Sequence, residues 1–342
     1  MSVTIYDVAR RAGVGIGTVS RAINNSSQIT VETKNRVLSV IRELNYQPHT
    51  VAQSLARQRT NTIGCIIPFF TGYFYMELLR GVQRETTVHK NDLILYSVDR
   101  MDKRDTFLER TLQERRVDGI LLVSLEIPDE YAEKFETQGL PIVLLDGFHS
   151  GIDSIKVNNV DGAFSATEHL LNLGYESVGM IAGALTSLPA RLRFEGYKNA
   201  LESHGRPFES DHFVACENPN DNDGFSKPAG YRAMLQLLDL GAKRPRAVFA
   251  SSDIQAIGAM QAVRERGLKV PDDVAIVGFD DIELADHVGL TTMRQPMVKM
   301  GELAVDRLMQ KIGGADEASL NQKLGTKLVI RESCGAGGLA RN

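Results

Sequence analysis

Apolar residues recur every three or four positions in the first part of the chain, up to Leu44. This spacing places them on one face of a helix, so it predicts amphipathic helices rather than strands. Three groups show it: Ile5, Val8, Ala9 and Ala12; Val19 and Ile23; and Val37, Leu38, Ile41 and Leu44. The sequence therefore predicts three short helices, with Thr4 capping the first and Thr30 the third.

From residue 61 the pattern changes to short apolar runs that alternate with amphipathic segments. The runs TIGCIIP, DLILYSV, GILLVS, PIVLLD, SIKVN, SVGMIAG, AVFASSD and DVAIVGFD are typical of buried strands. Helices are predicted at 74–89, 103–115, 159–173, 191–203, 227–239, 253–266 and 296–312. This alternation predicts parallel sheets with helices on both faces and right-handed crossovers, in a segment long enough for two lobes.

The segment GVGIGTVSRAIN raises the question whether Gly13, Gly15 and Gly17 bind a phosphate. A dinucleotide-binding fingerprint needs a strand before its glycines, and a helix is predicted there instead. Gly13 suits the end of that helix, because glycine readily adopts the left-handed conformation that follows helix C-termini. Two short helices joined by a tight glycine turn, with a third helix following, indicate a DNA-binding helix-turn-helix.

The charge distribution supports a polyanion as partner of the amino-terminal region. The first 60 of the 342 residues hold eight Lys and Arg against three acidic residues, and the overall net charge of −4 leaves −9 on the remainder. Three scattered cysteines without a CxxC pair suit a reducing compartment. Because we find neither a signal-peptide pattern nor an apolar run of roughly 18 residues, we expect a cytoplasmic protein without a membrane partner.

Motifs for catalysis or metal binding are missing from the sequence. It has no GxSxG, HExxH or Cys–His cluster, and its seven histidines are scattered. Asp280 and Asp281 do not suit an acid/base pair, because adjacent residues on a strand point apart. We therefore expect no enzyme and no bound cofactor or metal.

The amino-terminal region resembles the headpiece of the lactose-repressor family of bacterial transcription regulators. The resemblance lies in TIYDVARRAGVGIGTVSRAIN and TVETKNRVLSVIRELNYQPHTVAQSLA, where DVA, AGV, TVSR, N, RV, LNY, P and SLA fall at the family's spacings. It continues to about Glu332 and Ser333. It implies an all-α helix-turn-helix headpiece with a hinge helix, followed by a two-lobed α/β effector domain like that of periplasmic sugar-binding proteins, with Rossmann-like parallel sheets.

The resemblance also implies the domain boundaries. We expect a DNA-binding headpiece at 1–48, a hinge helix and linker at 49–60, an effector-binding and dimerisation domain at 61–335, and a flexible tail at 336–342. Within the effector domain, the N-lobe is expected at about 61–160 and 291–322, and the C-lobe at about 161–290 and 323–335. The tail lacks the leucine heptads that make the lactose repressor a tetramer, so a homodimer is expected.

Residues that match the family's contacts to a palindromic operator can be named one by one. Those in the headpiece and at its end are Tyr6, Ile16, Gly17, Thr18, Ser20, Arg21, Asn24, Thr33, Tyr46 and His49. In the hinge, Leu55 matches a leucine wedged into the minor groove, with the small Ala52 and Ala56 beside it; alternatively, Leu55 is a linker leucine that covers the body. The family usually opens its recognition helix with Ser and two variable residues, whereas this chain has Gly15, Ile16 and Gly17. Base reading is therefore expected to shift to Arg21 on a guanine and Ile16 on a thymine methyl.

In the body, six residues match the positions of the family's effector contacts: Phe74, Tyr75, Asp146, Arg193, Phe225 and Asp280. Carboxylates accept hydrogen bonds from hydroxyls, arginine donates in a fork, and an aromatic face stacks on a ring. Phe74 is alternatively a core residue, and Asp253 is expected to cap a helix.

The effector is expected to be a small carbohydrate, namely a sugar, a sugar phosphate or a sugar acid, the anionic classes gaining from Arg193. A purine or nucleoside is the alternative, because the aromatic residues with Arg193 and Asp280 also resemble the purine-repressor pocket. Departures from relatives at Gly72, Pro189 and Ser252 argue against lactose-like specificity. A solute-binding protein without DNA function is a weaker reading, since it leaves the headpiece unexplained.

Overall fold

The computed structural model describes residues 3–46, 59–68, 70, 72–98, 101–216, 222–315 and 320–336. The chain divides into two compact units, Met1–Asn61 and Thr62–Asn342, which we call the headpiece and the body. The hinge predictions for His49, Ala52, Leu55 and Ala56 lie outside the described residues, as do residues 337–342 of the tail.

The headpiece contains the three predicted helices: α1 (Ile5–Ala12), α2 (Ile16–Ile23) and α3 (Val31–Glu43). The Asp7 carboxylate accepts hydrogen bonds from the backbone N–H and the hydroxyl of Thr4, at 3.0 and 2.7 Å, which fixes the start of α1. Gly13 has φ 64°, as expected after a helix C-terminus. Helix α2 begins directly after Gly15, so Ile16 and Gly17 form its first turn.

The three helices pack around a small apolar core centred on Val8, Val19 and Val37, all fully buried. One predicted core position on α3 is wrong: Val40 is buried there, and Leu38 lies outside the cluster. The reason is helical geometry, because positions three and four residues after Val37 share its face and the next residue does not.

The first lobe of the body is a six-stranded sheet in the order β11-β5-β4-β3-β1-β2. Its strands are β1 (Thr62–Ile67), β2 (Asp92–Ser97), β3 (Gly119–Val123), β4 (Ile142–Leu145), β5 (Asp153–Val157) and β11 (Asn321–Leu324). Helices α4 (Tyr73–Val88) and α12 (Met297–Ile312) cover one face, and α5 (Met101–Glu114) and α6 (Asp129–Thr137) cover the other. Strand β2 lies at the edge and is only half-buried, so its predicted full burial is wrong.

The second lobe repeats this architecture, with strand order β12-β10-β9-β8-β6-β7. Its strands are β6 (Val178–Ala182), β7 (Phe213–Ala215), β8 (Ala247–Ala250), β9 (Ala275–Asp280), β10 (Thr291–Arg294) and β12 (Lys327–Val329). Helices α7 (Asn159–Asn172) and α8 (Leu188–Ser203) pack on one face, and α9 (Lys227–Asp239) and α10 (Asp253–Glu265) pack on the other. The short helix α11 (Glu283–His287) follows β9.

Strand pairing in both sheets is parallel except between β10 and β12. The predicted fold class, an all-α headpiece followed by a two-lobed α/β body with parallel sheets, is confirmed. No described helix is both long and apolar enough to cross a membrane.

The chain crosses between the lobes three times, after β5, between β10 and α12, and between β11 and β12. The expected crossing near 290 is misplaced, because residues 291–294 pair with β9 and extend the sheet of the second lobe. Residues 295 and 296 therefore form the second crossing. Gln295 therefore lies between the lobes.

Candidate nucleic-acid interface and ligand cleft

Helix α2 divides into a face that packs and a face that stays open. Val19 and Ala22 are buried in the headpiece core, and Thr18 and Ser20 are half-buried beside them. Ile16 is 40% exposed, and Gly17, Arg21 and Asn24 are exposed as well. The exposed face offers one apolar side chain, one guanidinium and one amide, the groups that read thymine methyls, guanine and adenine edges in the major groove.

The other predicted headpiece contacts differ in accessibility. Tyr6 on α1 is 63% exposed. The Thr33 backbone N–H donates to the hydroxyl of the capping residue Thr30, which in turn donates to the Thr33 hydroxyl at 2.9 Å. Tyr46 is only 9% exposed and packs in the headpiece core, so we assign it to packing rather than to DNA contact. Because Arg11 pairs with Glu43 at 2.6 Å, it links α1 to α3 and is not free for a phosphate.

In the body, Arg193 on α8 is the centre of a buried polar network at the carboxyl ends of the strands. It is 4% exposed. Its Nε donates to the Asn159 side-chain oxygen at 2.8 Å, and its Nη1 donates to the Ser251 carbonyl at 2.5 Å. Nη1 also lies 3.8 Å from the Asp280 carboxylate. A buried guanidinium needs such partners, because an unpaired charge inside a protein is strongly disfavoured.

The network extends into both lobes. Asp146, from the first lobe, accepts a hydrogen bond from the Ser124 hydroxyl at 3.1 Å and is hydrogen-bonded to Asn159. Asp280, at the end of β9, accepts from the Gln295 amide at 2.5 Å. Asp146 and Asp280 have φ values of 51° and 128°. Such conformations are unfavourable for residues with a side chain and are concentrated at functional sites.

Burial raises the pKa of the carboxyl groups around Arg193. The pKa of Asp280 is raised to about 6 by burial, against the opposing attraction of Arg193. Burial also raises the pKa of Asp146, again opposed by Arg193. The same burial lowers the pKa of the Arg193 guanidinium. Two carboxyl groups, those of Asp146 and Asp280, therefore share the surroundings of one cation.

The aromatic residues of the expected pocket play different parts. The Phe225 ring lies 5.8 Å from the Arg193 guanidinium, and the Phe279 ring, which was not predicted, lies at 3.9 Å. Phe74 packs against the core of the first lobe and meets Tyr75 edge to face, with ring centroids 5.3 Å apart. Tyr75 is hydrogen-bonded to Ser124, and burial raises its pKa.

Four network residues escaped the sequence analysis: Ser124, Asn159, Ser251 and Gln295. Asn159 opens the first helix after the first crossing, and it joins Arg193 to Asp146. Gln295 is 3% exposed, and its side-chain oxygen finds no hydrogen-bond partner among the described residues. Gln295 lies between a strand and a helix where the chain crosses between the lobes, and this position could have marked it as a site residue. It was missed because the crossing was expected near 290.

Asp253 does not cap its helix as expected. The Ser252 hydroxyl caps α10, and the Asp253 carboxylate accepts from the Ile282 N–H at 2.9 Å and the Thr292 hydroxyl at 2.5 Å. Burial raises the pKa of Asp253 to about 8, with a further contribution from Asp280. Asp253 thus holds β9, β10 and α10 together behind the cleft.

Glu85, His89 and Asp306 form a group that has ligand types suited to a metal, and it lies on α4 and α12, the helices that cover one face of the first sheet. His89 Nε2 lies 3.0 Å from the Asp306 carboxylate and 3.6 Å from Glu85. The contact between His89 and Asp306 joins the two helices, whereas Glu85 and His89 are neighbours at the end of α4. In the described chain, no comparable group involves the residues of the Arg193 network.

Comparisons with known proteins cover both units. The profile for bacterial regulatory proteins of the lacI family matches residues 4–49, and that for a periplasmic binding protein-like domain matches residues 167–334. The catabolite control protein A of Priestia megaterium is 34% identical over 316 residues, which cover 91% of this chain and 92% of that protein. The ribose operon repressor of Escherichia coli (strain K12) is 37% identical over 316 residues, with 90% and 93% covered. The HTH-type transcriptional repressor PurR of Mannheimia succiniciproducens is 33% identical over 337 residues, with 96% and 98% covered.

Solved structures agree with these relatives. The lac repressor dimer bound to operator and the anti-inducer ONPF superposes with a TM-score of 0.85 at 30% identity, covering 98% of this chain and 99% of that chain. A LacI family transcriptional regulator from Enterococcus faecium with bound ribose has a TM-score of 0.70 at 26% identity, covering 80% and 98%. The similarity therefore extends over both the headpiece and the body.

Proposed function

Because this chain belongs to the lacI family of bacterial regulatory proteins, we propose that it is a repressor that binds a palindromic operator as a homodimer and responds to a small neutral sugar. Its relatives are transcriptional regulators rather than enzymes. We base the proposed effector site on the buried network around Arg193. We base operator recognition on the exposed face of α2.

The operator is read by a recognition helix with few polar groups. Arg21 hydrogen-bonds a guanine, and Ile16 contacts a thymine methyl, while Gly17 presents no side chain to the groove. Tyr6 and Thr33 contact the phosphate backbone and set the register of the helix on the duplex. In the hinge, Leu55 enters the minor groove with Ala52 and Ala56 beside it, and His49 contacts a phosphate. Two headpieces in a homodimer bind two half-sites, which requires a palindrome.

The effector occupies the cleft at the carboxyl ends of both sheets, where ligands bind in folds of this type. Asp146 and Asp280 accept hydrogen bonds from its hydroxyls, and Arg193 donates to one of its oxygens. Phe225 and Tyr75 supply apolar faces for the sugar ring, and Phe74 supports Tyr75 from the core side. The free oxygen of Gln295 accepts one further hydroxyl, which satisfies a buried group that otherwise lacks a partner.

A neutral sugar fits this cleft better than a sugar phosphate or a sugar acid. Arg193 already faces the carboxylate of Asp280, and Asp146 lies in the same surroundings. An added anion would meet more negative than positive charge in a buried place, which is unfavourable. The relatives that regulate a ribose operon or hold bound ribose make D-ribose the first ligand to test.

Effector binding alters operator affinity through the movement of the lobes. Because the network joins residues of both lobes and of two crossings, occupancy of the cleft changes how the lobes close on each other. In the family mechanism, closure biases the order of the hinge segments on DNA. A coupling free energy of about 1–3 kcal/mol would change operator affinity roughly 5- to 150-fold.

Calorimetric titration of the full chain tests the effector class. The panel holds D-ribose, D-glucose, cellobiose, ribose 5-phosphate, gluconate, hypoxanthine and guanine. We expect binding by a neutral sugar that is lost in Arg193→Ala and retained in the control Arg110→Ala, an exposed residue of α5. Binding by ribose 5-phosphate or gluconate alone would contradict the charge argument, and binding by a purine alone would establish the alternative effector class.

A further inference from the structure

An ion pair joins the two lobes outside the Arg193 network. Arg191, in the first turn of α8 in the second lobe, reaches Glu126 in the loop after β3 in the first lobe, with Nη2 3.4 Å from the carboxylate. Both side chains are substantially exposed, at 45% for Arg191 and 69% for Glu126. Neither belongs to the effector set, and no other part of the proposed mechanism uses them.

The position of this pair opposes the crossings. The three crossings connect the sheet edges that contain β5 and β11 in the first lobe and β10 and β12 in the second. By contrast, β3 lies three strands from β11, and β6, whose loop leads into α8, lies next to the outermost strand β7. The Glu126–Arg191 pair therefore joins the lobes at a place away from the covalent crossings.

Both ends of the pair are held in place before they meet. Arg191 Nη1 donates to the carbonyls of Leu185 and Thr186, at 3.2 and 2.7 Å. The Glu126 carbonyl accepts from Arg104 Nη1 at 2.8 Å. An exposed ion pair is usually weak, in part because two long side chains must be ordered to form it. Here the Arg191 side chain and the Glu126 backbone are already ordered by contacts within each lobe, so more of the attraction remains for holding the lobes together.

We propose that Glu126 and Arg191 are positioning residues that favour the closed cleft and so raise effector affinity without touching the effector. When only a fraction of the molecules has a binding-competent cleft, the apparent affinity equals the intrinsic affinity multiplied by that fraction. Breaking the pair lowers the closed population and weakens binding, while the contacts in the cleft stay intact. This inference rests on the proposed function for its effect on affinity, but not for its effect on lobe closure.

Charge reversal tests the pair in the full chain. The variants are Glu126→Arg, Arg191→Glu and the double reversal, with Glu114→Arg as control, because Glu114 pairs with Arg110 inside a single lobe at 3.0 Å. Interlobe distances are measured without ligand by pulsed electron paramagnetic resonance. The spin labels are attached at the exposed positions Glu133→Cys and Asn199→Cys in a Cys216→Ser background. D-Ribose affinity is measured by calorimetry, and thermal melting checks that each variant folds.

Each single reversal is expected to shift the interlobe distances to longer values and to weaken D-ribose binding about two- to fivefold, the range that exposed ion pairs give. The double reversal restores part of both, because it re-forms the pair but not the Arg191 hydrogen bonds to the Leu185 and Thr186 carbonyls. The control changes neither, and 0.5 M salt reduces the differences. Unchanged distances in the single variants, or a double variant no closer to the parent than the singles, would overturn the proposal. If the parent does not bind D-ribose, the proposed effector fails, and the distances still decide the role of the pair.

Discussion

Replacing Asp280 by asparagine removes a charge from the cleft at almost constant shape. Burial raises the pKa of this carboxyl to about 6 from its ordinary value of 3.8. Each unit of difference corresponds to about 1.4 kcal/mol, so the ionised form is less stable in the folded chain by up to about 3 kcal/mol. That figure already includes the attraction of Arg193. Asp280→Asn should therefore stabilise the body at neutral pH while it abolishes effector binding.

The pH dependence has a definite sign. Between the two pKa values the folded chain holds the proton and the unfolded chain has released it, so stability falls as the pH rises through this window. At pH 4 the carboxyl is protonated in the folded chain and near its midpoint in the unfolded chain, so the parent and Asp280→Asn should differ by less than about 1 kcal/mol. Above about pH 6 the full advantage of the asparagine variant is present.

Urea unfolding followed by circular dichroism at pH 4 and pH 7 measures this difference. Asp211→Asn serves as the control, because Asp211 is exposed and should show little change at either pH. A variant less stable than the parent at pH 7 would refute the reasoning. It would mean that the pairing of Asp280 with Arg193 outweighs the cost of burying the charge.

Three further predictions concern single positions. Gly17→Ala should stabilise α2 by about 0.5–1 kcal/mol, because a Cβ there meets no atom within 4 Å and alanine favours the helix. Thermal melting of the headpiece measures this, and an unchanged melting temperature would count against it. Gly81→Ala should destabilise the body by about 1–3 kcal/mol, because the added Cβ would overlap the backbone of α12. Gly325→Ala is the control, since a Cβ there lies in open space. Urea unfolding measures both, and a smaller loss of stability at Gly81 than at Gly325 would contradict this packing. Gln295→Ala removes a hydrogen bond to the Asp280 carboxylate and should weaken sugar binding about tenfold. Calorimetric titration measures the affinity, and an affinity equal to that of the parent would exclude Gln295 from the site.

Much of the fold follows from periodicity in the sequence. The helices of the headpiece and the long helices of the body were predicted within a few residues, because each has an apolar stripe that must be buried. The elements that were missed are short or lie at the margins, such as α6, α11, β7, β11 and β12. Their apolar pattern is too brief to stand out, and tertiary pairing rather than local sequence makes them strands or helices.

The site was predictable only in part. Asp146, Arg193 and Asp280 stand at strand ends or helix starts, so their place was visible from the pattern and the family resemblance. Asn159 and Gln295 lie at crossings, and their roles depend on how the two lobes meet, which no local pattern encodes. Tyr46 was predicted as a DNA contact from the family resemblance, but it is buried in the headpiece core, and we assign it to packing.

We propose that a ligand in the cleft around Arg193 and Asp280 controls operator binding by the headpiece. It is tested most directly by fluorescence anisotropy of the full chain on a palindromic duplex selected from a random library, with and without saturating D-ribose. We expect D-ribose to change the Kd for DNA by at least fivefold in the parent and to leave it unchanged in Arg193→Ala. An equal response in both proteins, or no response in the parent to any ligand of the panel, would contradict it.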